Sequence, residues 1–143
     1  MNMPGHDDTA AHEGGCLCGA VRYRVVGEPL ALTRCHCRSC RLASGAPSLA
    51  WAIFRAEDFV LVTGRPTRFA SSPGVERTFC AICGTSLTYR SADRPDAIDV
   101  TTATLDDASR FAPTKEIWTE HALAWQPLDA ALPHSPRSSR GAA

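Results

Sequence analysis

The chain of 143 residues has the length of a single domain, so we expect one hydrophobic core rather than two. Its 15 Lys and Arg residues balance its 15 Asp and Glu residues, giving a formal net charge of +0. A neutral chain lacks the basic surface that binds nucleic acid or anionic membranes. We therefore expect neither of them as a partner.

The two ends of the chain lack the periodic apolar residues of helices and strands. We expect a disordered tail at 1–13, an ordered domain at 14–130 and a second disordered tail at 131–143. The N-terminal residues show no basic start followed by an apolar run, and no stretch reaches ~18 apolar residues. No secretion signal or membrane span is predicted, and the expected compartment is the cytoplasm.

Short segments rich in β-branched and aromatic residues dominate the body of the chain, with glycine or proline between them. This pattern predicts strands at 20–26, 47–54, 59–64, 67–72, 77–80, 86–90 and 97–105. Only two places favour a helix: CRSCRLASG, one or two turns ended by Gly45, and a single turn in LDDASRF. The expected fold class is mainly β, a twisted sheet or sandwich with one or two short helices.

Four of the seven cysteines form two glycine-flanked pairs. Cys16 and Cys18 give C-x-C, and Cys80 and Cys83 give C-x-x-C. In a reducing compartment thiols serve as metal ligands or catalytic groups more often than as disulfides, and seven cysteines cannot all pair. Four thiolates suit a closed tetrahedral zinc site, so these residues are predicted to hold a structural zinc ion.

The other three cysteines, Cys35, Cys37 and Cys40, lie together in RCHCRSC. Zinc held by three protein ligands keeps one position for water or substrate, as catalytic zinc does, so we predict a second, catalytic site here. His36 and His121 are the candidates for a fourth protein ligand. The His36 side chain would point away from its cysteine neighbours in an extended segment, which favours the open site. A redox-sensitive thiol cluster is the alternative.

Arginines beside the three-cysteine motif could bind the substrate. Arg38 and Arg41 are predicted to hold a substrate carboxylate, with solvated surface arginine as the alternative. The three tryptophans could line a pocket, although core packing is the simpler expectation. These are Trp51, Trp118 and Trp125.

The cysteine motifs and their surroundings resemble one known family. The segments GGCLCGAVRYRV, RCHCRSCRLASGAP, RTFCAICGTSL, DVTTATLDD and PTKEIWTEHALAW, spread over roughly 12–127, are similar to the glutathione-dependent formaldehyde-activating enzymes, a family that includes centromere protein V. The resemblance implies a β-tent fold around two zinc ions and carbon–sulfur lyase activity on adducts of a thiol with an aldehyde. It also implies the same division of the cysteines. Many members carry histidine where this chain has Glu116.

The leading hypothesis from the sequence is therefore a zinc-dependent lyase. Its expected partner is a small-molecule thiol or a thiol–aldehyde adduct. A non-catalytic, zinc-stabilised binding module and a thiol redox sensor are the alternatives. A homodimer through exposed sheet edges is also expected.

Overall fold

The computed structural model describes residues 10–138, which form ten strands in two sheets. In chain order the strands are Ala11–Gly15 (β1), Arg22–Val26 (β2), Ala31–Cys35 (β3), Leu49–Arg55 (β4), Phe59–Thr63 (β5), Thr67–Ser72 (β6), Val75–Phe79 (β7), Ser86–Ser91 (β8), Ala97–Thr101 (β9) and Lys115–Ile117 (β10). The smaller sheet has the order β1-β2-β5, and the larger has the order β10-β3-β4-β9-β8-β7-β6. Neighbouring strands are antiparallel, except that β10 runs parallel to β3.

Within residues 10–138 there is one α-helix, α1, at Arg38–Ser44. Its N-cap residue is Cys37, whose sulfur accepts a hydrogen bond from the Cys40 backbone N–H at 3.3 Å. It ends at Gly45, which has a φ of 73° that suits glycine. Short 3₁₀ turns lie at Ala56–Asp58, Thr102–Thr104, Ala108–Phe111 and Thr119–His121. None of the helices between residues 10 and 138 has the length and apolar character needed to cross a bilayer.

The main core lies between the two sheets. Tyr23 of β2 is 1% exposed, and its hydroxyl lies 2.6 Å from the Thr104 hydroxyl oxygen. A Cβ added at Gly14 would lie 2.4 Å from that tyrosine oxygen, so β1 needs glycine at this point. The other buried side chains of this core are Cys16, Val21, Val25, Ala52, Phe54, Cys80, Leu87, Ile98, Val100, Leu105 and Phe111.

The opposite face of the larger sheet carries a different set of side chains. Successive residues of a strand point to opposite faces. The residues of β4 and β9 that alternate with the core positions must therefore project from this second face. The strand register pairs Ile53 with Asp99, Asp99 with Tyr89, and Tyr89 with Arg77. It also pairs Thr33 with Trp51. This second face is therefore rich in polar and aromatic groups, and it lines a cavity described below.

The predicted fold class is confirmed: the chain is a mainly β single domain. The helix after the three-cysteine motif is confirmed, and LDDASRF contains a 3₁₀ turn at Ala108–Phe111. The strand predicted at 97–105 is too long, because the chain leaves the sheet after Thr101. No strand was predicted at β1, β3 or β10. Their short segments contain few β-branched residues and depend on pairing with neighbouring strands.

Both expected domain boundaries fall inside ordered structure. β1 begins at Ala11, which pairs with Val26, so the predicted tail at 1–13 is wrong for its last residues. At the other end, the Glu116 N–H donates to the Pro133 carbonyl at 3.0 Å, and the Ser135 N–H donates to the Glu116 carbonyl at 2.9 Å. These bonds hold the segment after residue 130 against β10. Residues 1–9 and 139–143 lie outside the described residues.

Candidate metal centres and an adjoining cavity

The first group of thiols contains all four cysteines of the two glycine-flanked pairs. Their sulfur atoms lie within 4.8 Å of one another. The Cys16 and Cys18 sulfurs are 3.6 Å apart, and the Cys18 and Cys80 sulfurs are 3.8 Å apart. We call Cys16, Cys18, Cys80 and Cys83 the four-thiol group.

Two tight turns present these sulfurs. The first turn follows β1, and its Val21 N–H donates to the Cys16 sulfur at 3.3 Å. The second follows β7, where the Cys83 N–H donates to the Cys80 sulfur at 3.5 Å. The Thr85 hydroxyl lies 3.2 Å from the Cys83 sulfur and, with the Thr85 backbone, lowers the pKa of Cys83 to about 5. These contacts stabilise thiolates, the form in which cysteine binds metal.

The second group contains Cys35, Cys37 and Cys40, whose sulfurs also lie within 4.8 Å of one another. We call it the three-thiol group. Cys35 ends β3, Cys37 precedes α1, and Cys40 lies in the first turn of that helix. Among residues 10–138, no other cysteine, histidine or carboxylate joins the group. It packs against Trp51, which is 4% exposed.

Contacts within the three-thiol group shift the pKa values of its cysteines in opposite directions. Hydrogen bonds with the Cys35 and Cys40 thiols lower the pKa of Cys37 to about 2, and the Cys40 backbone N–H and the charge of Arg77 act in the same direction. The hydrogen bonds with Cys37 and Cys40, together with burial, raise the pKa of Cys35. Three neighbouring thiols cannot all ionise at ordinary pH without a nearby cation.

A cavity of 790 Å³ adjoins the three-thiol group, and all three of its cysteines line it. Its volume lies in the range of small-molecule sites, which is roughly 300–1,000 Å³. None of the four-thiol cysteines lines the cavity. The other residues that line the cavity near the three-thiol group belong to the second face of the larger sheet and to the segment after β10. It includes Thr33, Trp51, Arg77, Tyr89, Ile117 and Trp118.

Arginine side chains hold fixed positions on the cavity wall. Both terminal nitrogens of Arg77 lie 3.7 Å from the Cys40 sulfur, and its guanidinium lies 4.9 Å from the centre of the Tyr89 ring. Arg94 approaches the same ring at 5.9 Å and pairs with Asp99 at 2.9 Å. The cation at Arg77 is therefore placed to stabilise negative charge on the three-thiol group.

A buried ionic cluster lies behind the three-thiol group. Glu116, at 0% exposure, accepts from Arg34 Nε at 2.9 Å and from the Asp129 N–H at 2.9 Å, and a second Arg34 nitrogen contacts its other oxygen. The His36 Nε2 atom lies 2.6 Å from Glu116 Oε1. Burial alone would raise the pKa of Glu116, but the hydrogen bonds from Arg34, the Asp129 N–H and His36 lower it to about 2.

The structure places some of the candidate ligands and substrate-binding residues at the cavity and others away from it. His36 points away from the thiols, as the alternation of an extended segment predicts, and bonds Glu116 instead. His121 lines the cavity but stands outside the three-thiol group, with its ring centre 5.2 Å from that of Trp118. Arg38 lines the cavity, whereas Arg41 is not among the lining residues. Trp51 and Trp118 also line it, and Trp125 is 71% exposed.

Three residues of this region were not predicted as site residues: Thr33, Arg77 and Glu116. Thr33 is 2% exposed and lines the cavity, and its hydroxyl has no hydrogen-bond partner within the described part of the chain. Arg77 lies 37 positions from Cys40 in the sequence, so only the sheet register brings them together. Glu116 follows Lys115 in a short polar segment, so nothing in the local sequence marks its carboxylate as buried.

The chemistry of the sulfur donors suits zinc at both groups. A Zn–S distance of about 2.3 Å in a tetrahedron separates neighbouring sulfurs by about 3.8 Å. The Cys16–Cys18 and Cys18–Cys80 sulfur separations, 3.6 and 3.8 Å, agree with that geometry. Both groups could therefore bind a metal ion: the first offers a complete set of four ligands, and the second offers three that face a cavity.

Fold and site together define a small, two-sheet β domain with two cysteine clusters that could bind metal. The chain matches the family model described as glutathione-dependent formaldehyde-activating enzyme over residues 11–121, and it belongs to that family. The resemblance drawn from the cysteine motifs is thus confirmed.

Individual relatives support the same assignment. An uncharacterized lyase of Schizosaccharomyces pombe is 35% identical over 78 residues, which span 54% of this chain and 56% of that protein. A Halomonas elongata protein, named as a glutathione-dependent formaldehyde-activating enzyme, is 29% identical over 82% of this chain and 81% of its own length. A crystal structure of a Rhodobacter sphaeroides protein has a TM-score of 0.57 and 29% identity, covering 66% of this chain and 88% of that one. The family is one of lyase-type enzymes.

Metal at the four-thiol group would make an exposed cysteine essential for stability. Cys18 is exposed, so its replacement by alanine should matter little unless its sulfur binds a metal ion. We expect Cys18→Ala to lower the urea midpoint to the value that the wild-type protein shows after treatment with a chelator.

The matched control for this prediction is Leu17→Ala, because Leu17 is the 89% exposed neighbour of Cys18. Its urea midpoint should equal that of the wild type. Equal midpoints for Cys18→Ala and Leu17→Ala, with no effect of the chelator, would show that the four-thiol group binds no stabilising metal.

Proposed function

We propose that this protein is a zinc-dependent carbon–sulfur lyase acting on S-hydroxymethyl adducts of a small thiol and an aldehyde such as formaldehyde. The observation that carries the proposal is the three-thiol group, which has no fourth donor among residues 10–138 and opens onto a cavity of 790 Å³. The family match over residues 11–121 supports the reaction class.

The two thiol groups would divide structural and catalytic roles. Cys16, Cys18, Cys80 and Cys83 would hold a structural zinc ion that ties the turn after β1 to the turn after β7. Cys35, Cys37 and Cys40 would hold the catalytic zinc ion. When bound there, zinc would supply a coordination position for the substrate sulfur and favour its deprotonated form.

The reaction is an addition with a simple atom balance. In the synthetic direction the S–H bond of the thiol breaks, a C–S bond forms to the aldehyde carbon, and the proton ends on the aldehyde oxygen. The lyase direction reverses these changes. The protein must therefore hold a sulfur and a carbonyl in one orientation, and the cavity wall beside the three-thiol group suits that task.

Thr33 is placed to contact the oxygen of the aldehyde. Thr33 lines the cavity two residues before Cys35 on the same strand, and its buried hydroxyl has no hydrogen-bond partner between residues 10 and 138. A buried hydroxyl without a partner is unfavourable unless a ligand satisfies it. Donation by this hydroxyl would stabilise negative charge that develops on the oxygen during C–S bond formation.

One arginine of the cavity wall favours a thiol that carries a carboxylate. Arg38 lines the cavity, and no acidic side chain in the described range pairs with it. Arg77 and Arg94, in contrast, already contact Cys40 and Asp99. Arg38 is therefore the cation on this wall most available to a substrate anion, and it is proposed to bind the substrate carboxylate.

The first test is turnover by the wild-type protein and by Thr33→Val. Valine keeps the shape of threonine and removes only the hydroxyl. We expect the wild type to accelerate exchange between formaldehyde, a thiol and the adduct, measured by NMR, and Thr33→Val to lower kcat on the order of 100-fold.

The stability of Thr33→Val separates a catalytic effect from a structural one. The variant loses an unpartnered hydroxyl, so its urea midpoint should equal or exceed that of the wild type. No acceleration by the zinc-loaded wild type with any thiol would contradict the proposed function. An unchanged kcat in Thr33→Val would remove Thr33 from the mechanism.

The second test concerns the substrate carboxylate. Arg38→Ala should raise KM for glutathione about tenfold or more, because a charged hydrogen bond is lost, and should leave KM for the neutral thiol 2-mercaptoethanol unchanged. Arg110→Ala is the matched control, since Arg110 is exposed and lies outside the cavity. An equal KM for glutathione in Arg38→Ala and the wild type would exclude this contact.

A further inference from the structure

Glu116 is a fully buried carboxylate whose hydrogen bonds join three parts of the chain. Its oxygens contact Arg34 and His36 of the segment that carries Cys35, and they accept from the Asp129 N–H at 2.9 Å. Arg34 also donates a hydrogen bond to the Pro127 carbonyl at 3.1 Å. The side chains of Glu116 and His36 are both 0% exposed, and that of Arg34 is 28% exposed.

The two side chains held by Glu116 are the sequence neighbours of Cys35 on either side. Neighbouring residues of a strand point to opposite faces, so Arg34 and His36 face β10 and the C-terminal segment while Cys35 faces the thiols. The strand register pairs Glu116 with Arg34 and Ile117 with Cys35. The His36 N–H also donates to the Ile117 carbonyl at 3.0 Å.

This arrangement fixes the backbone on both sides of Cys35. It also fixes the backbone leading into Cys37, which follows His36 and is the N-cap residue of α1. Two of the three sulfurs in the three-thiol group therefore depend on contacts made behind the strand. A shift of this segment by a fraction of an ångström would change the spacing of the sulfurs, since all three lie within 4.8 Å of one another.

We propose that Glu116 is a positioning residue for the three-thiol group, acting through Arg34 and His36 and not by contact with the substrate or the thiols. It sets the spacing of the Cys35 and Cys37 sulfurs relative to Cys40. It also couples that spacing to the C-terminal segment, because the Asp129 N–H and the Pro127 carbonyl belong to the same hydrogen-bond network. The proposal rests on the proposed function in that it takes zinc to be bound at the three-thiol group.

The test is residue-resolved alkylation of the zinc-loaded full chain by N-ethylmaleimide, followed by mass spectrometry. Glu116→Gln keeps the shape but replaces an acceptor oxygen with a donor that faces other donors. We expect the alkylation rates of the three-thiol cysteines to rise about tenfold or more, the size of effect seen when the support behind metal ligands is removed. The rates of the four-thiol cysteines should stay as in the wild type.

Glu120→Gln is the matched control, because Glu120 is a partly exposed glutamate of the same C-terminal region, paired with Arg137 at 2.9 Å. It should leave all seven rates unchanged. Equal increases at all seven cysteines in Glu116→Gln would show a general structural role and overturn the proposal. No increase at the three-thiol group would overturn it as well.

Arg34→Lys provides a second variant that keeps the buried charge balance if Glu116→Gln fails to fold. Lysine retains the cation but cannot match both carboxylate oxygens as the arginine fork does. We expect the same selective increase at the three-thiol cysteines, of smaller size, and an unselective or absent increase would contradict the proposal. Alkylation requires no turnover, so a wild-type protein without lyase activity would refute the proposed function and leave this test intact.

Discussion

The pairing of β3 with its two neighbours is the constraint on which the three-thiol group depends. β3 lies between β4, which runs antiparallel to it, and β10, which runs parallel to it. The strand ends at Cys35, and α1 begins three residues later at Arg38. This abrupt change from strand to helix brings three sulfurs of one short segment within 4.8 Å, a spacing that an extended chain could not give.

The two faces of the larger sheet have different surroundings: one packs in the apolar core and the other lines the cavity. One face packs on the smaller sheet and forms an apolar core around Tyr23 and Phe54, which are 1% and 0% exposed. The other face presents polar and aromatic side chains to the cavity. The four-thiol group lies beside the core, and the three-thiol group lies at the cavity, so the two cysteine clusters have different surroundings. This division is why one cluster is proposed to be structural and the other catalytic.

Much of this arrangement could be predicted from local sequence. The four-plus-three division of the cysteines follows from spacing and glycine neighbours, and the orientation of His36 follows from the alternation of an extended segment. Residues such as Thr33 and Arg77 were not predictable in this way, because their positions beside the thiols come from strand register over long sequence distances. Glu116 appeared only as a departure from the family pattern. Its burial depends on Arg34, His36 and the Asp129 N–H, which sequence spacing does not bring together. The C-terminal segment looked irregular because its hydrogen bonds go to β10 and not to itself.

The proposed function requires two independent zinc sites, of which only one is needed for the fold. The most direct measurement is zinc per chain, by metal mass spectrometry, in the wild type and in Cys37→Ala purified without chelator, with circular dichroism as the check on folding. We expect two zinc ions in the wild type and about one in Cys37→Ala, with the fold retained. One zinc ion in both proteins would contradict this expectation, because the three-thiol group would then bind no metal in the isolated protein.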